Sequence, residues 1–164
     1  MRRLALAALL AAGVAAAGAS AASGPRPGLV SLDGIGGVVP GMTAEQISAA
    51  WGIPVSVTST LCTIVAIHPG EARGRALFHN GKLGAVFFDY GVHTLSGIGI
   101  GTTLTGLQRT FGANLKSADG SHFYFLTRHD SPHWQIRFDT NTANRVVQIG
   151  FGEIGSVHVV AGCV

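Results

Sequence analysis

Seven histidines are the residues of this 164-residue chain that are best suited to bind a metal ion. The closest pair is His129 and His133, which are separated by Asp130, Ser131 and Pro132. Two histidines four residues apart bind one metal when a helix presents both on the same face. Pro132 and the strand-like sequence on either side predict a turn instead. We therefore expect neither a structural nor a catalytic metal site.

Other chemical motifs are incomplete. Residues 97–101 look like the start of a dinucleotide-binding loop, but Thr102 and Leu104 stand where the last glycine of G-x-G-x-x-G should be. No G-x-S-x-G motif supplies a serine nucleophile. The acidic residues show no spacing that pairs two carboxylates on one element. The sequence therefore predicts no catalytic residue and no cofactor.

The same pattern of residue types occurs twice in the chain. Residues 37–52 read GVVPGMTAEQISAAWG, and residues 97–112 read GIGIGTTLTGLQRTFG. In each copy a threonine, Thr43 or Thr103, is placed to cap a helix, and a glycine, Gly52 or Gly112, is placed to end it. Helices of about nine residues are not stable alone, so each must pack against other elements.

Strand patterns follow each predicted helix. After the first helix we expect strands at 61–67, 75–79 and 82–90, with a hairpin turn at Asn80 and Gly81. After the second we expect strands at 121–128, 133–138, 144–151 and 156–161. The predicted fold class is α+β, with two tandem helix-plus-antiparallel-sheet repeats at about 34–91 and 94–164 and the helices packed on one face of the sheet.

These paired segments resemble the tandem repeat of secreted β-lactamase inhibitor proteins and the related outer-membrane-assembly lipoprotein (SmpA/OmlA) group. The resemblance covers about residues 34–162 and rests mainly on glycines. It implies a curved sheet whose exposed concave side binds another protein. The chain differs from the inhibitors in its cysteine positions, and no cysteine stands at the cleavage site to carry the lipid that the lipoproteins have.

The N-terminal residues have the features of an export signal. Arg2 and Arg3 precede a run rich in alanine and leucine, and Ala19 and Ala21 flank Ser20 in the arrangement that signal peptidase requires. The apolar run is about 16 residues long, shorter than the roughly 20 that span a bilayer, although an uncleaved anchor is the alternative. We expect a secreted, extracellular protein with a signal peptide (1–21), a flexible leader (22–30) and a single compact domain (31–164).

Export also changes the charge of the molecule. Without Arg2 and Arg3, the basic residues fall from 11 to 9 against 8 acidic ones, so the net charge falls from +3 to +1. No cluster of lysine and arginine remains. We expect no nucleic-acid partner and no stable membrane insertion.

Two cysteines, Cys62 and Cys163, follow the signal sequence. An even number of cysteines in an exported protein predicts a disulfide bond between them. Two unrelated buried thiols are the alternative.

Alternation in the strands of the second half predicts one apolar face towards the helices and one open face. The composition of the open face, with tyrosine and arginine but little lysine or glutamate, is typical of a protein interface. An ordinary solvated sheet face is the alternative. We predict six partner-binding residues, with Tyr124 and Arg137 as the anchors: His122, Tyr124, His133, Gln135, Arg137 and Gln148.

The leading functional hypothesis is a secreted, non-enzymatic protein-binding module, of which an inhibitor of an extracellular enzyme is one form. The alternative is a structural or assembly protein of the cell envelope, and an enzyme without a recognisable motif is the third hypothesis. The expected partner is another protein, either extracellular or in the envelope.

Overall fold

The computed structural model describes residues 28–59, 61–117, 120–128 and 131–158. The predicted signal peptide, most of the predicted leader and Cys163 lie outside the described residues. The helices are α1 (Ala44–Trp51), α2 (Leu104–Phe111) and α3 (Ile154–His158). The strands are β1 (Leu29–Ser31), β2 (Gly34–Ile35), β3 (Cys62–Ile67), β4 (Arg73–His79), β5 (Lys82–Tyr90), β6 (His93–Thr94), β7 (Leu115–Ser117), β8 (Phe123–Arg128), β9 (Ser131–Thr140) and β10 (Val146–Glu153).

Seven strands form one sheet in the order β3-β4-β5-β10-β9-β8-β7, in which every neighbouring pair is antiparallel. A smaller sheet has the order β2-β1-β6. At the centre of the large sheet, β5 from the first half of the chain pairs with β10 from the second, and Phe87 lies opposite Gly150. One continuous sheet therefore joins the two halves.

This topology corrects the predicted fold class. The chain is mostly β rather than α+β, because α1 and α2 have only 8 residues each and α3 has 5. The halves are not tandem helix-on-sheet repeats, because the β5–β10 ladder crosses the expected boundary near residues 91–94. All of residues 83–88 are buried. A strand covered on both faces belongs in the middle of a sheet, and β5 lies there, between β4 and β10.

The repeated sequence pattern corresponds to two local motifs with the same backbone hydrogen bonds. The Gly41 N–H donates to the Leu83 carbonyl in β5 at 2.7 Å, and the Gly101 N–H donates to the Val146 carbonyl in β10 at 2.7 Å. Both glycines have a left-handed φ, +86° and +88°, which a side chain would strain. Each pattern therefore attaches a helix start to one of the two central strands.

The predicted helix caps are confirmed. The Gln46 N–H donates to the Thr43 hydroxyl, and the Gln46 side chain accepts from the Thr43 N–H, which completes a capping box at α1. The Thr103 hydroxyl accepts from the Gly106 N–H at α2. Gly52 ends α1 with φ +66°.

The main core lies against one face of the large sheet, here called the core face. The Trp51 ring of α1 meets the Phe88 ring edge-on at 6.2 Å, and its indole N–H donates to the Ile35 carbonyl at 3.1 Å. From α2, the Phe111 ring lies 5.7 Å from the Phe138 ring. Buried residues of the core face are Ala76, Phe78, Val86, Phe88, Ile136, Phe138, Ile149 and Phe151.

Among the described residues, no helix is long and apolar enough to cross a membrane.

Candidate functional site

The opposite side of the sheet, here called the α3 face, is covered by α3. Residues 154–158, partly predicted as a strand, are helical. Small residues make room for this helix: a Cβ at Gly84 would collide with the Ser156 hydroxyl, and one at Gly150 would lie 2.7 Å from the Phe87 ring. Val157 is fully buried with Ala85 and Phe87. The α3 face therefore closes over a second, smaller apolar cluster.

Arg137, in β9, lies on the α3 face and is only 2% exposed. Its Nε–H and Nη2–H donate to the two carboxylate oxygens of Asp139 at 2.5 and 2.8 Å, the bidentate geometry of a strong ion pair. Its Nη1–H donates to the Val157 carbonyl at 2.9 Å. The guanidinium carbon lies 3.9 Å from the centre of the Phe123 ring. Arg137 thus binds β9 to α3.

The Asp139 carboxyl lies where burial disfavours its charged form. Burial raises the pKa of the Asp139 carboxyl, and this effect exceeds the lowering by the hydrogen bond and charge of Arg137 and by the charge of Arg75. The negative charge is therefore maintained mainly by its neighbour. Removal of Arg137 would leave a buried carboxylate without its partner.

A second set of contacts links α3 to β9 and β8. The His158 Nε2–H donates to the Gln135 side-chain oxygen at 2.8 Å, and the Gln135 amide donates to the Thr127 hydroxyl at 2.7 Å. The His158 ring stacks on Phe125 with 4.2 Å between ring centres. Burial lowers the pKa of His158, and the positive charge of Arg137 lowers it further. This packing therefore favours a neutral imidazole.

The six predicted partner-binding residues do not share one face. In the β8–β9 ladder, Tyr124 lies opposite Phe138, and Phe125 lies opposite Arg137. Tyr124 is therefore half-buried on the core face. Gln135, Arg137 and Gln148 lie on the α3 face, where Gln135 and Gln148 are half-buried; His122 and His133 are exposed.

The expectation that Tyr124 and Arg137 point outwards together is wrong. The alternation along β8 and β9 was predicted correctly, but alternation does not say which face of β8 joins which face of β9. In β10 a bulge between Val146 and Gln148 interrupts the alternation, so Val146 is buried and Val147 is 40% exposed. Arg137 is also covered by a helix that the sequence pattern had assigned to a strand. Asp139 and His158 were missed for the same reason. The assignment of the six residues to a partner interface stays a prediction.

Among the described strands, β3 lies at one edge of the large sheet, and it is a second candidate site. The other edge of the large sheet is β7, which has three residues with Lys116 in the middle. In contrast, β3 has six residues, and residues 61–67 contain no charge and no proline. The ladder from Cys62–His79 to Ile67–Gly74 has no bulge. Charge, proline and bulges are the usual means of blocking an edge, and this strand has none of them.

The backbone direction along β3 follows from one hydrogen bond. The Asn80 N–H donates to the Leu61 carbonyl at 3.1 Å, which extends the ladder with β4 by one pair. Because hydrogen-bonded and non-bonded residues alternate along an antiparallel pair, the N–H and C=O groups of Ile64 and Ala66 point away from β4. The side chains of Leu61 and Ile64 are 77% and 47% exposed. This edge offers both backbone groups and apolar side chains.

Cys62, at the start of β3, is half-buried. Its predicted partner, Cys163, lies outside the described residues, so the disulfide stays a prediction.

A cleft of about 380 Å³ lies between the start of α1 and the segment before β3, and small or hydroxyl-bearing residues make up most of its lining. In the described part of the chain, no three histidine, cysteine or acidic side chains are grouped closely enough to hold a metal ion.

No protein-family model matches the chain, and no curated protein matches it. Three solved structures are similar to it. A DUF4309 family protein (YjgB) from Bacillus subtilis is 15% identical, with 79% of this chain and 88% of that one covered and a TM-score of 0.46. A cysteine-rich secretory protein from Staphylococcus aureus is 10% identical, with 80% and 48% covered and a TM-score of 0.45. The uncharacterized protein yfeY from Escherichia coli is 14% identical, with 69% and 90% covered and a TM-score of 0.37.

Similarity at this level leaves the function to be argued from the chain's own residues.

Proposed function

We propose that this protein is a secreted, non-catalytic binding module that takes an extended segment of another protein onto the edge of β3. The observation that carries the proposal is the uncharged, unbulged edge strand with its outward backbone groups. In strand addition, backbone hydrogen bonds supply affinity and alternate side chains supply specificity. Ile64 and Ala66 offer the backbone bonds, and the exposed Leu61 and Ile64 side chains offer apolar contact.

The α3 face supports the proposal because its charged and polar side chains already form hydrogen bonds within the protein. Its charged and polar groups bond to one another and to α3: Arg137 to Asp139 and Val157, and His158 to Gln135. These contacts use the functional groups to secure a helix. Among the described residues, the outward backbone groups of β3 are not used in this way.

Two further predictions support the proposal: secretion, which places the partner outside the cytoplasm, and a disulfide bond at Cys62, which would restrain β3. The export features of the first 21 residues support a partner outside the cytoplasm. A bond between Cys62 and Cys163 would tie the end of the chain to the strand that binds. Such a cross-link limits opening of β3 away from β4, and the edge would keep its shape.

An edge-specific variant tests the proposal. Ala66→Pro removes an N–H that points away from β4, so it should prevent addition of a new strand while preserving the β3–β4 bonds. Lys116→Ala, on β7 at the other edge, is the matched control. The two variants and the wild type are incubated with secreted and envelope proteins, cross-linked, and the captured proteins are quantified.

We expect Ala66→Pro to capture at least about tenfold less partner protein than the wild type, which corresponds to about 1.4 kcal/mol of binding free energy. Lys116→Ala should capture as much as the wild type. Circular dichroism should show that both variants are folded. Equal capture by folded Ala66→Pro would exclude the β3 edge as the binding site. The identity of the captured protein separates an enzyme inhibitor from an envelope assembly protein.

A further inference from the structure

We infer that a second copy of the chain closes the β3 edge before any partner binds. The two β3 strands pair antiparallel about a two-fold axis that passes through Ile64. This inference rests on the proposed function, because it names the first occupant of the same edge.

The backbone sets the position of the axis. A hydrogen-bonded antiparallel pair needs outward-pointing N–H and C=O groups on both residues. Ile64 has this orientation and is the central one of the three outward positions 62, 64 and 66. With the axis at Ile64, the two Ile64 residues exchange two N–H···O=C bonds. The same register places residues 62–66 of one strand opposite residues 66–62 of the other.

Charge favours pairing with a second copy. Like charges directly opposite one another destabilise a strand pair, and residues 61–67 carry none. Self-pairing of β7 would instead bring two copies of Lys116 together over a ladder of only three residues. Of the two edges, β3 is therefore the one that two identical chains can share.

The side chains are also complementary to themselves in this register. Ile64 lies opposite Ile64 of the second copy, with their Cα atoms about 5.5 Å apart. The Ile64 side chain is 47% exposed in the single chain, and each copy would cover part of the other. On the core face, Val65 lies opposite Thr63 of the second copy. Pairs of β-branched residues are among the favourable cross-strand neighbours. The apolar contact and the backbone bonds thus act together.

Such a dimer would protect an edge that is otherwise open to aggregation. It would also make partner binding depend on protein concentration, because a partner strand must displace the second copy from the same backbone groups.

Two measurements on the mature full-length protein test the inference. Sedimentation velocity over the low-micromolar to sub-millimolar range should show a monomer–dimer equilibrium for the wild type. Ile64→Lys places two positive charges at the axis and should weaken dimerisation by at least about tenfold. Lys116→Ala should leave it unchanged. A monomeric wild type throughout this range would overturn the inference.

Cysteine substitution tests the register. Ile64→Cys brings two thiols to positions about 5.5 Å apart in Cα distance, within the range of a disulfide. Leu61→Cys is the control: this position is more exposed, yet its two copies would be about 20 Å apart along the strands. Under mild oxidation, a non-reducing gel should show a covalent dimer for Ile64→Cys alone. Equal cross-linking of Leu61→Cys would contradict the two-fold axis at Ile64.

These outcomes separate this inference from the proposed function. A monomeric wild type whose partner capture is lost in Ala66→Pro contradicts only the second-copy inference. A β3-linked dimer whose partner capture is unchanged in Ala66→Pro contradicts only the partner-binding proposal.

Discussion

The two faces of the large sheet are closed in different ways. On the core face, α1, α2 and the small sheet cover apolar side chains such as Phe88 and Phe138, both fully buried. On the α3 face, a five-residue helix is secured by a buried arginine, its carboxylate partner and a histidine. The first closure depends on buried area, which is not directional. The second depends on a few directional bonds, and two of the groups that make them, Asp139 and His158, change charge with pH.

This difference predicts how each face fails. Loss of apolar volume should dominate on the core face, because packed interiors relax only partly around a cavity. On the α3 face, the largest loss of stability should come from removing one member of the ion pair, because the remaining charged group stays buried without its partner. The following changes test that distinction.

The largest effect is expected for Phe88→Ala. The Phe88 ring is fully buried and contacts Trp51, so its removal should lower the free energy of unfolding by about 3–5 kcal/mol. Urea denaturation measures the change. Val147→Ala, at a side chain that is 40% exposed, is the control and should cost within about 0.5 kcal/mol. Similar losses in the two variants would contradict the placement of the main core.

A loss of about 3 kcal/mol is expected for Asp139→Ala, because Arg137 would remain buried without its ion-pair partner. The double variant Arg137→Met/Asp139→Leu should recover most of this loss, since apolar groups of similar size often replace a buried pair without net cost. Both are measured by urea denaturation. If Asp139→Ala is as stable as the wild type, the ion pair does not secure the α3 face.

The smallest effect is a change in pH dependence at His158. Its pKa is lower in the folded protein than the ordinary 6.5, so its stabilising contribution is present above about pH 6.5 and is lost as the pH falls through the folded value. His158→Phe keeps a ring on Phe125 but cannot take up a proton. The fall in urea midpoint between about pH 7.5 and about pH 5.5 should therefore be smaller in this variant than in the wild type.

Gln135→Met is the matched control for this experiment. It removes the hydrogen bond to His158 but keeps the imidazole, so most of the wild-type pH dependence should remain. Asp139 acts in the opposite direction: its raised pKa gives a contribution that is present in acid, below the ordinary value of 3.8, and is lost as the pH rises through the folded value. A His158→Phe variant with the full wild-type slope would show that other groups cause the pH dependence.

Several local features follow from the sequence alone. The helix starts at Thr43 and Thr103, the end of α1 at Gly52 and the hairpin turn at Asn80 and Gly81 are all present. Each depends on backbone groups within a few residues, so the residue types at the turn or cap decide it. The alternation of side chains along β8 and β9 is equally local, because successive residues of any strand point to opposite faces.

The tertiary structure decided what those local features build. The pattern over residues 156–161 predicted a strand, but Val157 fits the cluster with Ala85 and Phe87, and the described part of this range, residues 156–158, belongs to α3. Likewise, only the pairing of Phe125 with Arg137 reveals that Tyr124 belongs to the core face. A period of two is the same whichever face a strand turns to its neighbour. The sequence therefore determined the alternation and the caps, while long-range pairing and packing decided that both halves share one sheet and that Arg137 is buried beneath a helix.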